Sequence, residues 1–186
     1  MSTLFVNNLN TASGSTITVP TGKKIVGTDS GSVEYPNSIL QIQSSGTFAD
    51  HDNSASAAWA STNCSVTITP ASTSNKVLVD FTGIILLNAS SSSNTIMRGA
   101  VKIIRTIGAT TTNIWNTDEF VEMFQARNAP TEHCTAFHVH FIDSPSTTSQ
   151  ITYTVQSYRH SDSNMSKIRL FGSGRGSVMH CREIGG

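Results

Sequence analysis

The stretch TAFHVHFI (135–142) alternates apolar and polar residues through its centre. Successive side chains on a β-strand point to opposite faces. Phe137, Val139 and Phe141 therefore form one face and should be core. His138 and His140 project together from the other, toward solvent or a neighbouring subunit.

The same kind of signal recurs on both sides. Toward the C-terminus come ITYTVQSY (151–158), SKIRLF (166–171) and SVMHCREI (177–184). Toward the N-terminus, SVTIT (65–69) alternates until Pro70 stops it. KVLVDFTGIILLN (76–88) reads as one bent strand or two. TIMRGAVKIIRT (95–106) follows the loop ASSSSN (89–94), with Gly99 expected at a bulge, and TNIWN (112–116) comes next. Strands at this spacing, separated by turn residues, are the signature of a sandwich, jelly roll or small barrel, and the fold expected is an all-β, jelly-roll-like β-sandwich. In DEFVEMFQARN (118–128), Phe120, Val121 and Phe124 fall at i, i+1 and i+4, which predicts a single short helix.

Upstream, TITVP (16–20) and ILQIQ (39–43) are short, polar and interrupted by turn-like TGKK and GTDSGS. Such segments cannot bury a core alone, but could wind with identical copies about a three-fold axis. The expected organisation is an extended attachment and trimerisation segment over 1–47, a linker over 48–61, and a β-sandwich knob over 62–186.

Composition supports an all-β chain. Of 186 residues only 13% are charged, about half the usual share, whereas Ser and Thr make up roughly 27%. Hydroxyl residues are poor in helix interiors, and Thr suits pleated sheets. Twelve basic residues balance twelve acidic ones. No excess of positive charge is available to displace counterions from phosphates, so no nucleic-acid partner is expected. Lys23-Lys24 reads as a solvated turn. The start MSTLFVNNLN lacks a secretory pattern, and the longest apolar run is far short of a membrane span, so no membrane insertion is expected. Cys64, Cys134 and Cys181 are odd in number and lack C-x-x-C spacing, which predicts free thiols rather than a disulfide framework.

Several segments resemble bacteriophage tail-fibre and fibre-tip proteins, particularly those of marine phages. LFVNNLNTASGSTITVPTGKKIVGTDSGSVEYPNSILQIQ (4–43) is similar to the polar N-terminal segment of such proteins. SVTITPASTSNKVLV (65–79) resembles the opening of a fibre-tip domain, and FIDSPSTTSQITYTVQ (141–156) a later element of it. REIGG (182–186) resembles the strand that ends such chains. The resemblance implies a homotrimeric, non-enzymatic virion structural protein with a β-sandwich tip. It would assemble in host cytoplasm with other virion proteins, reach the outside after lysis, and recognise a host-surface glycan or protein. The alternative is a head fibre, neck appendage or capsid decoration protein without a receptor role. A free secreted lectin-like module needs an export route that is not visible. The resemblance identifies no receptor-binding residue.

The remaining chemistry is sparse. His138 and His140 could meet their symmetry mates at a trimer axis and hold a transition metal such as iron with six nitrogens, an arrangement similar to that of some phage fibres and spikes; the bland reading is a polar strand face. His133-Cys134 and His180-Cys181 are neighbours on strands and so point to opposite faces. Asp118, Glu119, Glu122, Glu132 and Asp143 are the central acids that a glycosidase would need in pairs, but no catalytic motif accompanies them and no enzyme is expected. GSGRGS (172–177) reads as a hairpin loop. With ASSSSN it is a receptor-loop candidate by composition. Trp59, Trp115, Tyr153 and Tyr158 are suited to stack on sugars, against core packing as the ordinary alternative. Three N-x-S matches, at Asn63, Asn88 and Asn164, read as chance.

Overall fold

KVLVDFTGIILLN lies within one long strand that is paired along both of its edges. The computed structural model describes residues 21–22, 37–89, 95–116, 121–125, 132–160 and 165–186. Two units divide the chain, Met1–Glu34 and Tyr35–Gly186. Apart from a turn at 21–22, the first lies outside the described residues. The second contains β1 (Ile39–Ser44), β2 (His51–Asn53), β3 (Ala58–Ile68), β4 (Lys76–Ala89), β5 (Thr95–Ile107) and β6 (Thr110–Asn116), followed by β7 (Val121–Gln125), β8 (Glu132–Asp143), β9 (Ile151–Arg159), β10 (Met165–Leu170) and β11 (Val178–Ile184). The helical content among the described residues is one 3-10 turn, Ser173–Arg175.

Two antiparallel sheets form a β-sandwich. In sheet 1, β4 pairs with β8 along nearly its whole length. Its other edge carries β11 and then β10, lying end to end. Beyond them lie β1 on β11 and β2 on β10. In sheet 2, β9 lies between β3 and β5, and the far edge of β5 carries β6 and β7 end to end. With end-to-end strands counted as one column, the described strands make eight columns. The first lies beside the last, the second beside the seventh, the third beside the sixth and the fourth beside the fifth. That nested pairing is the jelly roll.

Alternation decides what is core. On β4 the inward positions Val77, Val79, Phe81, Ile85 and Leu87 are buried, and they meet Met97, Val101, Ile103, Ile151, Tyr153 and Val155 of sheet 2. Val139 is buried on the inner face of β8, with Phe137 and Phe141 packed against the same core. Truncating a side chain such as Phe81 would cost about 3–5 kcal/mol.

Four expectations need correction. Val121–Gln125 is a strand on the edge of β5, not a helix; an open sheet edge outweighs a weak helical spacing. Residues 39–61 belong to the sandwich, not to an attachment segment and linker, because β1, β2 and the start of β3 all pair with strands from the C-terminal third. Gly99 keeps regular register with β9. It is small because a Cβ there would lie 2.7 Å from Ile168 and 3.1 Å from Leu87 of the facing sheet. Finally, GSGRGS is no hairpin. It joins two collinear strands and is pinned by Ser173 N donating to Phe48 O (3.1 Å) and Gly172 N to Asp50 Oδ1 (2.8 Å).

Candidate functional site

The outward face of β8 carries Cys134, Ala136, His138, His140 and Ile142, all exposed. As β8 pairs only with β4 among the described strands, its neighbours on that face come from β4 and, across it, from β11 and β1. Register sets them in rows. His140 stands opposite Asp80, Asp80 opposite His180, and His180 opposite Ser44. In the next row Ile142 faces Leu78, Leu78 faces Arg182, and Arg182 faces Ile42.

Asp80 is the centre of this face. His138 donates through Nε2 to Asp80 Oδ1 at 3.0 Å. His140 Nδ1 lies 3.8 Å and Arg182 Nη1 3.5 Å from Oδ2. Burial pushes the Asp80 carboxyl up, but the hydrogen bond and charge of His138, joined by Arg182, outweigh it and hold the group below the usual carboxylate range. The imidazoles are far more open than the carboxylate, at 59% and 58% exposed against 22%. Asp80, His138 and His140 each present one ligand atom, and those atoms all lie within 4.8 Å of one another. His180 stands apart, sharing a 2.7 Å hydrogen bond between its Nδ1 and Ser44 Oγ.

The H-x-H pair thus lies where the alternation put it, on an exposed face, and the fold adds a carboxylate. Asp80 gave no signal in sequence. It lies 58 residues away, and the β4–β8 register that aligns it cannot be read from one chain.

Other candidates disperse. Cys64 and Cys181 are buried and Cys134 is exposed. Cys134 points out of sheet 1 and Cys181 into the core, so the two do not share a site. Asp118 and Glu119 lie outside the described residues. Glu132 and Asp143 sit at opposite ends of β8, roughly 37 Å apart along a strand of that length; glycosidase carboxylates stand about 5–9.5 Å apart. Tyr153 is fully buried and donates its hydroxyl to Asp143 Oδ2 (2.8 Å). Trp115 packs on Phe137, with ring centres 5.6 Å apart. Trp59 and Tyr158 pair on the outer face of sheet 2 (5.1 Å), where Lys102 Nζ covers the indole at 4.2 Å. Of ASSSSN, residues 90–94 lie outside the described residues.

No family model matches this sequence, and no curated protein does. Among solved structures, the chain is similar to a chain of the T13 particle of infectious bursal disease virus, with TM-score 0.37, 13% identity, 87% of this chain and 39% of that one covered. A chain of the Gx strain of the same virus matches with TM-score 0.34 and 13% identity, over 88% of this chain and 36% of that one. One from its T=1 particles matches with TM-score 0.34 and 13% identity, over 87% and 40%. The chain spans about two fifths of the length of these relatives.

Proposed function

We propose that this chain is a non-enzymatic virion structural subunit of the fibre-tip kind, working as a homotrimer that recognises a host-surface glycan or protein. The observation that carries this reading is the character of the outer face of sheet 1. Ile39, Ile42 and Ile142 are 55%, 56% and 57% exposed, and they are the large hydrophobic residues most open to solvent among the described residues. All three lie on that one face, in the rows of Ile184, Arg182 and Leu78. A chain with zero formal net charge has little repulsion to hold copies apart. Exposed isoleucines gathered on one face are what a subunit covers on assembly. The stretch ahead of the sandwich, residues 1–34, would mount the trimer on the particle. Binding by three copies at once would let weak contacts add up to useful avidity.

Light scattering on the full chain tests the assembly. A trimer at micromolar concentration, shifted toward monomer by Ile42→Asp with Ile142→Asp, is the expected result. A wild-type monomer would sink it. Antibody against residues 62–186, used on intact particles, tests the role. Label at the distal tail supports host recognition, and label on the head or neck replaces it with decoration or assembly.

A further inference from the structure

We propose that Asp80, His138 and His140 of a single chain bind a first-row divalent transition cation, of the zinc and nickel class, whose remaining coordination positions stay open to water. The fold supplies the donor set. His138 and His140 sit two residues apart on one face of a strand, and Asp80 lies directly across from His140 on the neighbouring strand. Two imidazole nitrogens and one carboxylate oxygen therefore gather on the outer face of sheet 1, within 4.8 Å of one another.

Such N,O sites favour the borderline cations of the first transition row over calcium or magnesium. Metal–ligand bonds of about 2.0–2.2 Å require the donor atoms to close up further. That closure needs only side-chain rotation, because both imidazoles are more than half exposed and no backbone has to move. In the single chain the outward direction is solvent, so the open positions are wet there. Arg182, 3.5 Å from Asp80 Oδ2, opposes the ion through its charge and competes for the carboxylate. His180, bonded to Ser44 on the far side of Asp80, stands outside the set. All three donors belong to one chain, so binding the ion does not require assembly. It also differs from a site shared on a symmetry axis, which would need only the histidines.

The test is isothermal titration of the tag-free full chain with zinc chloride, with elemental analysis after dialysis and cobalt(II) absorption to report the ligand field. One zinc per chain is expected. Affinity should fall at least tenfold in each of Asp80→Asn, His138→Gln and His140→Gln, stay unchanged in His180→Gln, and rise in Arg182→Gln. Both histidines are exposed, so their variants should fold, and circular dichroism verifies this. No saturable binding, or equal loss in His180→Gln, would overturn the proposal. So would one zinc per three chains with Asp80→Asn unaffected, which assigns the ion to a site between copies.

Discussion

Three carboxylates of this sandwich, Glu183, Asp143 and Asp80, fall into two kinds. Glu183 and Asp143, both in the row of Val77, point inward and are saturated by fixed partners. Glu183 is 1% exposed and accepts hydrogen bonds from Ala71 N (2.6 Å), Asn75 Nδ2 (2.6 Å) and Gln41 Nε2 (2.5 Å). These tie β1, the turn after β3 and the last strand together. Asp143 takes both of its oxygens to Arg105 Nη1 (2.7 and 2.8 Å) and accepts from Tyr153, so it bolts sheet 1 to sheet 2. Asp80, by contrast, points outward toward partners that are themselves exposed or half-exposed. Sealed carboxylates hold this fold. The open one is free to exchange its partners.

The difference would break most visibly at Asp143. Asp143→Ala leaves the Arg105 guanidinium, 17% exposed, without its counter-charge, and the buried Tyr153 hydroxyl without its acceptor. A loss of about 3 kcal/mol is expected, read as a fall in the urea midpoint with an unchanged slope. Glu183→Ala comes next. Its three donors are neutral, so no charge is orphaned, and the expected loss is about 2 kcal/mol. If either variant matches wild type, the sealed group is not holding the fold.

Alkali probes the same interior. Burial pushes the Cys64 and Cys181 thiols up to about 12 from an ordinary 9.0. A folded pKa above the unfolded one means stability is complete below about pH 9 and drains as pH rises toward 12. The slope should be roughly 1.4 kcal/mol per pH unit for each thiol. Tyr153, raised by burial and by Asp143, adds to the loss above its own ordinary value. Urea titrations at several pH values should show this slope flattened in a Cys64→Ala, Cys181→Ala double variant, whatever that variant's absolute stability.

What was legible in sequence follows the same division between local pattern and long-range pairing. Phe137, Val139 and Phe141 announced the core face of β8 because a period of two is a local property. Strand spacing narrowed the class to a sandwich, jelly roll or small barrel. ILQIQ was misplaced because its isoleucines face out of the sandwich, so its alternation did not advertise the interior. Its partner is the last strand of the chain, and the residues set opposite the inward Cys181 and Glu183 are the polar Gln43 and Gln41. Val121–Gln125 was misread because the edge of β5 that recruits it is invisible to a local window. Glu183 and Asp80 show the same limit: a lone acid on a strand reads alike whether register brings it three donors or two imidazoles.

The smallest expected effect is the most diagnostic. Asp80→Asn removes a carboxylate whose partners are solvated, so without added metal its stability cost should stay within ~1 kcal/mol. If Asp80 serves a cation, the cost appears only when the cation is present. A ligand that binds the native state at a hundred times its dissociation constant adds about 2.7 kcal/mol. Thermal melts of wild type should then rise on adding zinc, and those of Asp80→Asn should not. A large loss in the metal-free variant would instead place Asp80 with Glu183 and Asp143 as a structural group, and the distinction between the sealed and open carboxylates would dissolve.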